Sequence, residues 1–206
     1  MPAPAPPALE MTTLSSRPAG CRRSPASSPA PGPPTTFRVD GKFLAGPAGR
    51  HLVKGVTYGT FAPDAFGQQF PALRRVREDF AAMAAAGVNT VRVYTPPDES
   101  ILDAAAEADL AMMIGVPWTQ HVAFLDDAGL VRAARREAAG HVRRLGRPPA
   151  TLLFAVGNEI PPAVVRWHGH RRVERFLRDL ADDARQACPG VLLTYVNFPP
   201  TAFLEL

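Results

Sequence analysis

Five short apolar runs between residues 52 and 196 are separated by four longer amphipathic ones, and this rhythm restricts the fold more than any other feature of the chain. Strands separated by helix-length segments pair in parallel, because a parallel connection must travel the length of the sheet before the next strand begins. The first strand is expected over 51–58. A helix opens at Pro71, places Leu73, Val76, Phe80 and Met83 on one face at spacings of three and four, and stops at Gly87. The second strand is expected over 89–94, followed by Pro96-Pro97 and a helix that Asp98 can cap, running to Asp109. A third strand over 110–116 is buried by Met112, Met113 and Ile114. The next helix carries Val131, Ala134, Ala138, Val142 and Leu145 before Gly146 and Pro148 end it. A fourth strand covers 151–156. Beyond Pro161-Pro162 a helix carrying Val173, Phe176, Leu177 and Leu180 runs towards Pro189-Gly190, and 191–196 is the fifth strand.

The chain before this series is different. Ten of the 23 prolines fall between residues 2 and 34, among Ala, Ser, Gly and Thr, and such a stretch cannot bury enough apolar surface to order itself. Residues 1–36 are therefore expected to form a disordered tail, and 37–206 the folded domain. Order begins at Phe37, where Phe-Arg-Val, Asp40-Gly41 and Lys-Phe-Leu alternate around a turn signal and predict a short β-hairpin. The tail holds Arg17, Arg22 and Arg23 against Glu10, about half of the formal net charge of +4, so the remainder is close to neutral. Nucleic-acid binding would require clustered Lys and Arg interleaved with aromatics, and is not expected. No apolar run is long enough for a membrane span or a secretory signal. The location is undetermined, cytoplasmic by default. Cys21 and Cys188 lie far apart in the sequence and are read as reduced thiols.

Parallel strand–helix units close as a barrel or open as a doubly wound sheet. No Gly-x-Gly-x-x-Gly follows any strand to favour the second. A complete (β/α)8 barrel takes about 250 residues. Removing the 36-residue tail from 206 leaves 170, so the expected architecture is an incomplete (β/α)8 TIM barrel of about five strand–helix units, in which about three strands are missing and the chain is a fragment.

In such barrels the reactive groups sit at the C-terminal ends of the strands. The polar and aromatic residues there are Tyr58, Arg92, Tyr94, Trp118, His121, Asn158, Glu159, Tyr195 and Asn197. Asn158-Glu159 is the sharpest pair. It directly follows Leu-Leu-Phe-Ala-Val-Gly, and an acid emerging from a buried strand can have its pKa raised by desolvation and by a neighbouring carboxylate, as a general acid requires. Glycoside cleavage uses one protonated carboxyl group to donate to the leaving oxygen and a second carboxylate to attack or to activate water. Alone, an Asn-Glu dipeptide before two prolines reads first as a polar turn leaving the strand.

Lys54-Gly-Val-Thr-Tyr58, Gly87-Val-Asn-Thr-Val-Arg-Val-Tyr94 and Val156-Gly-Asn-Glu-Ile160, taken in this order and spacing, resemble the retaining glycoside hydrolases of clan A. The resemblance is nearest to the family 2 type barrel and to related barrels that precede bacterial family 2 glycosyltransferases, and it covers roughly residues 50–200. It implies that Glu159 is the acid/base, that Asn158 binds the sugar 2-hydroxyl and that Arg92 orients the nucleophile. The matching nucleophile is a glutamate on a seventh strand, which this chain does not contain. Glu205, the only acid beyond Asp183, is read as leading into a sixth strand instead. The implied activity is retaining hydrolysis of a β-linked glycan, or transfer of its glycosyl group, with the fragment itself silent. The implied partners are a carbohydrate substrate and a C-terminal glycosyltransferase domain in a longer parent, and no cofactor is implied.

Trp118, Tyr58 and Tyr94 are candidates for a sugar-stacking platform, although core packing explains each equally well, and Tyr195 and His121 are candidate sugar ligands. His168, His170 and Glu174 have a superficial metal-ligand spacing, but Arg166, Arg171, Arg172 and Arg175 around them oppose a cation, so no metal is expected. Two other functions remain open on the same barrel. One is a non-catalytic carbohydrate-binding or scaffolding module. The other is a lyase or aldolase, which would need a strand-end lysine, whereas Lys54 lies inside the first strand.

Overall fold

The computed structural model describes residues 37–65, 67–198 and 204. The tail, Cys21 and Glu205 lie outside these residues. Among the described residues the chain enters through a three-stranded antiparallel sheet, β1 (Arg38–Asp40), β2 (Phe43–Gly46) and β3 (Gly49–His51). The expected hairpin is therefore a meander. His51, expected to open the first barrel strand, instead ends β3, pairing with Leu44. Phe37 packs with Ala111, Leu152 and Leu44, and His51 Nε2 lies 2.9 Å from Thr90 Oγ1. These contacts set the small sheet against the beginnings of the barrel strands.

The second sheet is parallel and five-stranded: β4 (Gly55–Thr57), β5 (Thr90–Val93), β6 (Ala111–Gly115), β7 (Thr151–Asn158) and β8 (Leu193–Val196). Between them run α1 (Leu73–Ala85), α2 (Glu99–Glu107), a single 3-10 turn at Phe124–Asp126 with α3 (Ala128–Leu145), and α4 (Pro162–His168) followed by α5 (His170–Ala187). The strands lie side by side in sequence order, with Val56 beside Val91, Val91 beside Met112, Ile114 beside Phe154, and Phe154 beside Leu193. A doubly wound sheet reverses its direction of growth at a switch point. Here every crossover advances the same way, which leaves the helices on one face and is the winding of a barrel.

Strand alternation sorts the side chains. Val91, Val93, Met112, Ile114, Phe154 and Val156 are buried in one cluster with Val76, Phe80, Leu102, Val142, Leu177 and Leu180 from the helices. Each such side chain contributes about 1.5–3 kcal/mol by leaving water. The predicted faces hold: Val76 and Phe80 are fully buried while Leu73 and Met83 flank them, and Ala134, Ala138, Val142 and Leu145 form the inner stripe of α3. Asp98 occupies the N-cap of α2, but its side chain makes no capping bond; Asp127, before α3, does, accepting from Gly129 N at 2.6 Å. The helix expected after Pro161-Pro162 is broken at Gly169 into α4 and α5, because Gly169 adopts a φ of 79°.

The fourth barrel strand is longer than expected, continuing through Asn158. Its pairing with β8 slips: Ala155 lies opposite Thr194, yet Asn158 lies opposite Val196, so three steps on β7 match two on β8. Strict alternation from Phe154 and Val156 would send Asn158 toward the helices. The slip turns it to the opposite face, the one that Arg92 occupies between Val91 and Val93.

Candidate active site at the strand ends

Arg92 reaches from β5 across β6 to β7, where one guanidinium nitrogen donates to Asn158 Oδ1 at 2.5 Å. Its Nε is buried and has no hydrogen-bond partner among the described residues. The main chain of Asn158 is gripped on both sides by Gln120, whose Oε1 accepts from Asn158 N at 3.0 Å and whose Nε2 donates to Asn158 O. Gln120 is 6% exposed. It lies in the loop after β6, and its side chain substitutes for a neighbouring strand at the point where β7 outruns its pairing. Sequence reasoning passed over Gln120 in favour of its neighbours Trp118 and His121. The available signal was an amide side chain, able to donate and accept at once, in a loop leaving a strand end.

Glu159 follows at φ 55°, a left-handed conformation in which its half-buried side chain leaves the strand direction. Two bonds hold this bend: Glu159 N donates to Val196 O at 2.8 Å, and Ile160 N donates to the Tyr195 hydroxyl at 3.1 Å. Burial raises the pKa of the Tyr195 phenol, the Ile160 N–H works against that rise, and the Glu159 charge adds to it. The phenol therefore keeps its proton at neutral pH and, already accepting from Ile160, is left to donate. Gly157 makes the surroundings close: a Cβ there would stand 3.1 Å from the Tyr195 ring and 3.4 Å from Trp118 Cζ2. Trp118, Tyr195, Asn158 and Glu159 thus converge around one backbone position.

The remaining predicted residues sit elsewhere. Tyr58 is 6% exposed, its ring lies edge-on to Phe61 and Phe80, and its hydroxyl donates to Asp79 Oδ2 at 2.8 Å, so it packs with the core under α1. Trp118 spends its N–H on Val156 O at 2.9 Å and packs edge-on against Phe124 and Phe176. Tyr94 is 37% exposed, with the Arg92 guanidinium carbon 4.6 Å from its ring centre. Tyr58 and Tyr94 border a common cavity of about 50 Å³, room for a water molecule or two, and Trp118 is not among the residues that line it. His121 is exposed and makes none of the hydrogen bonds that hold Asn158. Asn197 is exposed and lines, with Tyr195 and Leu204, a groove of about 610 Å³ beside β8. A further groove, about 650 Å³, lies between α3 and α5, remote from the strand ends, and Arg135 within it is tied to Asp183. His168 is buried and its Nε2 accepts from Leu125 N, which engages that nitrogen. Lys54 is exposed and precedes β4.

Solved structures share this arrangement. Superposition on β-glucuronidase from Parabacteroides merdae covers 73% of this chain at 24% identity with a TM-score of 0.60. The β-glucuronidase from Ruminococcus gnavus covers 81% at 15% identity and 0.66, and an exo-β-1,4-mannosidase from Opitutaceae bacterium strain TAV5 covers 74% at 18% identity and 0.60. The fold is a partial (β/α)8 barrel, shared with these proteins. This chain spans only 19%, 28% and 33% of the lengths of those three proteins. No family model and no curated protein matches the sequence. Among the described residues no helix is long and apolar enough to cross a membrane.

Proposed function

We propose that this chain carries the acid/base half of a retaining β-glycosidase site. Glu159 protonates the departing glycosidic oxygen, and a second carboxylate, outside the described residues, attacks the anomeric carbon to form a glycosyl intermediate. Glu159, now ionised, then takes the proton of the incoming water or sugar hydroxyl. Asn158 binds the sugar 2-hydroxyl, and Arg92, through its unpaired Nε, orients the second carboxylate. Tyr195 donates to substrate or to Glu159 as the charge of the latter changes. The reading extends to kinship with family 2 barrels and to a glycosyltransferase domain as partner in a longer parent, both on sequence resemblance.

One observation carries most of the reading: the Arg92–Asn158 bond places the asparagine and the arginine of the two most informative motifs in direct contact, next to Glu159 and at the strand ends. A guanidinium with a buried, unpaired N–H is costly unless an acceptor arrives, and a carboxylate is its best-matched acceptor. Glu159→Gln, measured in a form with the whole barrel, should lower kcat on an unactivated β-glycan by roughly 10²–10⁴. The loss should be much smaller for an aryl glycoside whose leaving group needs no proton, in the first half-reaction. Full rate on the unactivated glycan would reject the role assigned to Glu159.

A further inference from the structure

Trp167 is 72% exposed, yet its indole is not loose: Nε1 donates to Asp126 Oδ2 at 2.6 Å. Asp126 ends the 3-10 turn in the loop after β6, and Trp167 lies in α4, in the loop after β7. The bond therefore joins the two strand-end loops that supply Gln120 and Glu159. Behind it the junction is firm. The His168 side chain is fully buried, accepts from Leu125 N at 3.3 Å and lies edge-on to Phe124, while Arg172 donates to Leu125 O at 3.3 Å.

An indole exposed to this extent forgoes the stabilisation that burial would bring, and it is held in place by its only polar atom. Its neighbours in the chain, Arg166, Arg171 and Arg172, are exposed and charged, so the ring stands among hydrated groups rather than within a broad apolar patch of the kind that docks proteins. Beside the ring, the Asp126 carboxylate keeps 48% of its side-chain surface open as an acceptor. A flat apolar face next to a hydrogen-bond acceptor matches a β-pyranose, whose axial C–H bonds make one flat face and whose hydroxyls form the rim.

We propose that Trp167 and Asp126 form a stacking subsite for a further sugar unit of a glycan whose cleaved unit lies at Asn158 and Glu159, so that the ligand is a β-linked oligosaccharide or polysaccharide chain rather than a single glycoside. This rests on the glycosidase reading and adds the length of the ligand. The test is titration of the purified 206-residue chain with cellohexaose, mannohexaose and laminarihexaose, and with the matching methyl β-glycosides. Calorimetry gives affinity, and tryptophan emission reports the exposed Trp167 in preference to the half-buried Trp118.

At least one hexaose should bind about tenfold more tightly than its methyl glycoside. Trp167→Ala should bring that hexaose to within about twofold of the glycoside, with the affinity of the glycoside unchanged. Trp167→Phe, which keeps a ring without the tether, should retain part of the advantage, and it decides the matter should the alanine variant fail to fold. A hexaose advantage undiminished in Trp167→Ala, or lost equally in a well-folded Trp167→Phe, overturns the subsite while leaving Asn158 and Glu159 untouched. Wild-type chain that binds neither hexaoses nor glycosides defeats the subsite and the glycosidase reading together.

Discussion

At the scale of single residues, Glu159 carries the clearest tension between stability and function. Its φ of 55° is a conformation that costs a side-chain-bearing residue about 1 kcal/mol and a glycine nothing. Glu159→Gly should therefore be as stable as the parent, or up to about 1 kcal/mol more stable, in urea unfolding, while removing the proposed acid. A loss of more than about 1 kcal/mol would mean that the carboxylate makes structural contacts outweighing the backbone strain. The position of Asn158 and Glu159 at the end of a buried strand was legible in the sequence, from an acid directly behind an apolar run. What the sequence hid was their support. Gln120 reads as one more polar loop residue, and only its closeness to Asn158 in space reveals the double bond it makes to that backbone.

At the scale of elements, hydrophobic periodicity located all five barrel strands and the helices between them, because burial on one face leaves its period in the sequence. The faces of α1 and α3 could be read residue by residue for that reason. Boundaries were less legible where burial was not the cause. β4 is an exposed edge strand and keeps only Gly55–Thr57 of the expected segment, since edge residues such as Val56, 38% exposed, are not selected for a buried face. The surroundings of Tyr58 were not legible, because an aromatic after a strand serves a core and a ligand equally well and its partner, Asp79, lies one helix away. Close approach of neighbouring elements was also invisible. A Cβ on Gly115 would stand 2.5 Å from the carbonyl oxygen of Tyr94, main chain that has no side-chain freedom to retreat. Gly115→Ala should thus lower stability by about 1–3 kcal/mol or more in thermal or urea unfolding. An alanine variant as stable as the parent would show that the β5 and β6 ends can separate at little cost.

At the scale of the whole molecule, acid should loosen this fold before its carboxylates begin to titrate. His51, His141 and His168 all have a lowered pKa, in each case chiefly from burial, reinforced at His141 by Arg144 and at His168 by Arg172, with Glu137 and Asp126 respectively pulling the other way. The unfolded chain then binds more protons than the folded one between these lowered values and the ordinary histidine pKa of about 6.5. Stability from this source is complete above that pH and declines as pH falls through it. The thermal midpoint should be level from about pH 8 to 7 and fall by pH 5.5, with His168→Gln reducing the fall; a midpoint that rises on acidification would contradict the sign. The slipped pairing between Ala155 and Asn158 has a consequence for how this barrel can change over time. Lengthening β8 by one residue between Thr194 and Val196 would restore an even ladder with β7, yet it would return β7 to strict alternation, rotate the asparagine to the helical layer and strand Arg92 without its partner. Length in those few positions, more than the identity of any one of them, separates a barrel with an equipped mouth from one that folds but is blind to its ligand.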